Sequence, residues 1–208
     1  MMRVSISSPE VYILADADAT STGANQEWYG KLWQRKAGCG PTVASMIAWY
    51  LSKTRKECGK LSEGINATKE GFCELMNAMW GYVTPGYRGV NATVMLHRGL
   101  SRYAADRSVS LEFKAFDVGL GITGRNNGAL VDFVVRALQN DCPVAFLNLN
   151  NGQEKNLDRW HWVTLVAFEP DSGFAQIYDN GEVRLIDLAL WFKTSTLGGG
   201  FVVADTGM

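Results

Sequence analysis

The hydrophobic pattern of the chain changes period near its midpoint. From residue 40 onward Val43, Met46, Ile47, Tyr50 and Leu51 recur at spacings of three and four, one apolar stripe on a helix that ends near the run SKTRK. The same period returns over 69–83 and 91–105, with TPGYRG between them and Asn91 as N-cap of the second. Residues 108–116 then alternate like a strand and 129–141 read as a helix. Five strand candidates follow: PVAFLNLN, WHWVTLVAF, GFAQIYD, EVRLIDL and GFVVAD. The links EPDSG and DNG have hairpin length and turn-forming residues, so the carboxy-terminal half is expected to be a mostly antiparallel sheet. A helical half followed by a sheet half predicts an α+β fold. The 208 residues show no repeat, low-complexity tract or linker-like shift, and 47% of them are apolar, enough for one buried core. A single domain over 1–208 is the expectation.

The formal net charge is −1, with 20 basic and 21 acidic residues dispersed along the chain, which disfavours nucleic acid and anionic membranes as partners. The amino terminus lacks the apolar core of a secretory signal, and no long apolar run occurs, so a cytoplasmic protein is expected. Cys39, Cys58, Cys73 and Cys142 form no C-x-x-C pair and no cluster with histidine, so neither a disulfide framework nor a metal is expected, and no cofactor is called for.

Each thiol is therefore judged alone, and Cys39 has an unusual setting. It stands between Gly38 and Gly40, precedes Pro41 and opens a helix, where unpaired N–H groups and a partial positive charge favour thiolate. The glycines let backbone and substrate approach closely, and Pro41 suits the first helical turn. A nucleophilic cysteine needs a base, and the chain has two histidines. His97 lies within a helical pattern; His161 opens a strand, where a ring is held rigidly at a cleft edge. His161 is the better base. Its second ring nitrogen needs an orienting group, for which Asp179 at the end of the next strand, or Asn180 beside it, is placed by the intervening hairpin. The oxyanion of an acyl transfer needs a donor near the nucleophile, and Gln34 or Gln26 can supply it.

These stretches resemble the papain-like cysteine peptidases, most closely the bacterial group typified by the double-glycine leader peptidases and their stand-alone relatives. The resemblance rests on GCGPTVASM, CPVAFLNLN, HWVTLVAF and IYDNGE, in that order, and covers residues 26 to about 187. It implies a papain-like fold and a peptide or protein substrate. It also implies Cys39 as nucleophile, His161 as base, Asp179 as orienting residue and Gln34 or Gln26 as oxyanion donor. The chain departs from the family where Asp179-Asn180 stands in place of a frequent Asp-Pro. The upstream glutamine of the family is usually six or more residues before the cysteine, whereas Gln34 is five before it. The expected activity is a cysteine peptidase or amidase. The alternatives are an acyl-transferring enzyme, as in the phytochelatin-synthase-like transpeptidases, and a peptide-binding module without catalysis.

One motif points elsewhere. Gly119, Gly121 and Gly124 make a formal G-x-G-x-x-G between a strand and a helix. No acidic residue ends the following strand, and the flanking strands read antiparallel, so nucleotide binding is disfavoured and a turn-rich loop is expected. Trp28, Tyr29, Trp33, Trp160 and Trp162 flank the candidate residues, as groove lining or as core.

Overall fold

In the computed structural model, residues 2–17 and 19–207 are described. Three small strands come first, β1 (Val4–Ser5), β2 (Ile13–Asp16) and β3 (Ala19–Thr22). The helices α1 (Leu32–Ala37), α2 (Cys39–Thr54), α3 (Lys69–Trp80) and α4 (Thr93–Ala105) follow. The rest of the chain alternates: β4 (Glu112–Val118), α5 (Asn127–Gln139), β5 (Val144–Asn148), β6 (His161–Glu169), β7 (Phe174–Asp179), β8 (Glu182–Asp187), α6 (Leu188–Thr194) and β9 (Gly199–Asp205). Helix and antiparallel sheet are mixed in an α+β arrangement. The main sheet runs β4-β9-β5-β6-β7-β8 with every pairing antiparallel, and β1 takes the end of β6 that β5 leaves free.

Helices cover both faces of this sheet. Phe116, Phe201 and Phe146 lie side by side on β4, β9 and β5, and Phe133 of α5 and Trp191 and Phe192 of α6 pack on them. On the opposite face a side chain at Gly200 would strike Thr93 of α4, and Thr93 Oγ1 donates to Asp117 at 2.5 Å. The buried apolar side chains of helices and sheet join in one contiguous core.

The sequence predicts a single apolar stripe on α2, whereas every residue from 39 to 51 is buried. Small side chains make this possible: Ala44, Ser45 and Ala48 allow neighbours onto the second side, and Ser45 Oγ donates back to Pro41 O at 2.9 Å. The strand expected over 108–116 begins only at Glu112. Ser108 adopts φ +56 and Val109 N–H returns to Ala104 O at 2.9 Å, so this stretch closes α4 before β4 starts. The N-cap position of α4 is Ala92, without a capping side chain, so Asn91 does not cap it. The DNG link is a two-residue hairpin turn, with Asn180 at φ +51 and Gly181 at φ +82. No helix among the described residues is long and apolar enough to cross a membrane.

Candidate active site

Cys39 is the first residue of α2, and α1 abuts it through Gly38 at φ −84 and ψ −3. Thr42 N–H to Gly38 O, at 2.9 Å, opens the helical ladder and leaves the N–H groups before it without intrahelical partners. The flanking glycines answer to the protein's own packing. A Cβ at Gly38 would lie 2.5 Å from the Tyr29 ring, and one at Gly40 would lie 2.7 Å from Val90. Tyr29 is thereby core, buried with its hydroxyl donating to Met76 O at 3.1 Å. Trp162 is likewise buried, its indole N–H on Val90 O at 2.5 Å. Trp33 and Trp160 are exposed and Trp28 is half-buried.

His161 opens β6 and Asp179 ends β7. Pairing of Thr164 with Tyr178 puts the two on the diagonal across the hairpin, in reach of each other. His161 Nε2 and Asp179 Oδ1 are 2.7 Å apart, and both side chains are buried. With Nε2 engaged, Nδ1 is the nitrogen left for Cys39, which lines the same cleft and bears on the imidazole as a hydrogen-bond partner and as a charge. Burial pulls the imidazole pKa down, but the hydrogen bonds to Asp179 and Cys39 and their negative charge outweigh it, and the value is pushed up to about 10. Asp179 Oδ2 accepts from Arg184 Nη1 of β8 at 3.0 Å. His97 is far from this chemistry in the chain's packing, its ring 4.6 Å from that of Phe113.

Of the two glutamines, Gln26 lines the cleft with Cys39, His161, Asp179 and Asn180. It is delivered there by a short 3-10 turn, Gln26–Trp28, whose preceding residue Asn25 caps Glu27 N–H at 2.8 Å and donates to Asn180 O at 2.9 Å. Gln26 Oε1 is buried without a hydrogen-bond partner, so nothing among the described residues fixes the rotation of the amide. Gln34, the other candidate oxyanion donor, does not line the cleft. It sits within α1, and its amide donates to Asn77 of α3 at 3.2 Å. Because α1 runs straight into α2, closeness in sequence does not bring Gln34 into the cleft. Of the two orienting candidates, Asp179 contacts the ring, while Asn180 forms the turn.

The sequence reading missed Arg184 and Asp158. Arg184 shares a strand face with buried Ile186, and a cation on a buried face needs an acid opposite, which was a legible signal for Asp179. Asp158, His161 and Asp179 bring ligand atoms within 4.8 Å of one another, the geometry of a small cation site. Arg184 already lies 3.0 Å from Asp179 and 3.9 Å from Asp158, and its charge opposes a second cation there.

The space over Cys39 and His161 is narrow, about 10 Å³, room for roughly one water molecule. A cavity of about 840 Å³ lies elsewhere, between α5 and the β4–β9 pair, and contains none of these residues. The glycine loop of the G-x-G-x-x-G pattern joins antiparallel β4 to α5, and the Arg125 guanidinium fills it, donating to Gly121 O at 2.5 Å and Ser195 O at 2.6 Å. A loop that turns carbonyls onto an arginine is not a cradle of N–H groups for phosphate. No known family model matches the chain, and no curated protein does.

Proposed function

We propose that the chain is a papain-like cysteine peptidase or amidase. The observation that carries this reading is a buried imidazole hydrogen-bonded through Nε2 to Asp179 and lining one narrow cleft with a thiol at the first residue of a helix. An imidazole held in its protonated form beside a thiol favours the thiolate–imidazolium pair, the nucleophilic form of such a site.

The chemistry follows from that pair. Cys39 Sγ attacks the carbonyl carbon of a peptide or amide, the C–S bond forms, and the π electrons move onto oxygen. The amide of Gln26 and an unpaired N–H at the start of α2 are the donors available to that oxyanion. As the intermediate collapses the C–N bond breaks, and His161 gives its proton to the leaving amine. The acyl group remains on Cys39 as a thioester. Water, losing a proton to His161, attacks the thioester and releases the acid and the thiol.

The test is a peptide-library assay with mass detection, run with and without added amine or thiol acceptors. An acylated Cys39 and cleaved peptides, both lost in Cys39→Ser, are the expected result. Faster breakdown with an acceptor than with water would reassign the site to acyl transfer. Binding of peptides that is equal before and after Cys39→Ser, with no acylated thiol from any library member, would leave a binding module.

A further inference from the structure

Asp179 uses both carboxylate oxygens, Oδ1 on His161 at 2.7 Å and Oδ2 on Arg184 at 3.0 Å. Arg184 reaches two more carboxylates, Asp158 at 3.9 Å and Glu182 at 3.5 Å. Asp158 lies in the loop before β6, with a carboxylate oxygen within 4.8 Å of a ring nitrogen of His161. The charged and titratable groups around the imidazole are thus Cys39 from α2, Asp158 from the preceding loop and Asp179 from β7, with Arg184 of β8 bound to both acids and Glu182 on its outer nitrogen. Without Arg184, the carboxylates of Asp158 and Asp179 would face one imidazole with no cation between them.

We propose that Arg184, opposed by Asp158, is a positioning residue of this site: it pins the outer oxygen of Asp179, presents the inner one to His161, and offsets the surrounding carboxylates so that the imidazolium can still release its proton. This rests on the peptidase or amidase reading above. Arg184 is half-buried and Asp179 nearly fully so; the single charge-assisted hydrogen bond from Nη1 holds Oδ2, while Nη2 turns to Glu182. Too tight a hold on the imidazolium would slow transfer to the leaving amine, because a general acid works best with a proton affinity near the working pH.

The signs of the expected effects are opposite, which makes the test decisive. Removing the positive charge in Arg184→Gln raises the midpoint of the His161 titration, and removing a negative one in Asp158→Asn lowers it, each by about 0.5 to 1 pH unit. Arg184→Lys keeps the charge and returns the midpoint toward that of the unaltered protein. The readout is NMR of the His161 ring across pH, with Cys39 as thiol and as its iodoacetamide adduct, and thermal unfolding confirms that each variant is folded. If Arg184→Gln and Asp158→Asn shift His161 in the same direction, or neither shifts it, the inference is overturned. Its failure is separable from failure of the proposed function. An unaltered protein in which Cys39 is no more reactive than the other thiols overturns the latter, whereas the role of Arg184 is judged on the variants alone.

Discussion

Cys39 differs from the other three thiols in what surrounds it. Burial and nearby acids push Cys58 up to about 11, burial holds Cys73 above its ordinary value, and burial pushes Cys142 up to about 11 in spite of Arg55 beside it. Cys39 alone faces an imidazole that stays protonated to high pH. Iodoacetamide at neutral pH is therefore expected to label Cys39 first, and His161→Ala to slow that labelling while His97→Ala leaves it unchanged. Equal labelling of all four cysteines, read by peptide mapping, would remove the case for activation. The two glutamines give a second comparison. Gln26→Ala is expected to lower turnover about 100-fold, the usual cost of losing one oxyanion donor, and Gln34→Ala to leave turnover within a few-fold. The reverse order would return the role to Gln34. That Cys39, His161 and Asp179 come together in one cleft was legible because the chain has two histidines and a glycine-flanked cysteine at a helix start. Which of Gln26 and Gln34 joins them there was not, since that depends on how α1 continues into α2. Arg184 was announced only by its place on the strand face of buried Ile186, and Asp158, in a loop, by no spacing at all.

The elements that sequence made readable are those whose local chemistry agrees with their final state. α2, α3, α5 and the hairpins of β6, β7 and β8 carry strong periodicity and turn residues. β1, β2, β3, α1 and α6 are short, and their order comes from tertiary partners: β1 forms only on β6, and Thr22 N–H is tied to Gly181 O at 3.0 Å. That tie makes the β7–β8 turn a junction. Gly181 holds φ +82, and a side chain there would meet Ser21 Oγ at 2.4 Å, so both backbone and neighbour resist a Cβ. Gly181→Ala is expected to lower unfolding stability by about 1–2 kcal/mol, measured in urea. It should also reduce Cys39 labelling, because Asp179 and the Asn25–Asn180 contact are set by the same turn. Lost stability with unchanged labelling would mean that the turn supports the fold without positioning the site.

At the scale of the whole molecule the site is coupled to folding through its proton. His161 has an ordinary value of 6.5 when unfolded and about 10 in the fold, where burial opposes and Asp179 and Cys39 favour the charged form. Counted on His161 alone, the native state therefore holds more protons than the unfolded state between these values; a thiolate at Cys39 gives that proton back, so the excess is read with Cys39 replaced by serine. Stability from this group is fully present below about pH 6.5 and is lost as pH rises toward 10, with a steepest slope of about 1.4 kcal/mol per pH unit. Buried Tyr12, Tyr29 and Tyr50, together with Cys58 and Cys142, are also held above their ordinary values, mainly by burial. The cysteines begin to ionise in the unfolded chain from about pH 7.5 and the tyrosines from about pH 9, so they steepen the loss there and leave the interval from about 6.5 to 7.5 to His161. Urea unfolding of Cys39→Ser at half-unit steps across that interval isolates the His161–Asp179 part of the effect, and Asp179→Asn in the same background should flatten the slope. A slope that Asp179→Asn leaves unchanged would assign the loss of stability to another group and detach the raised imidazole from its contact with Asp179.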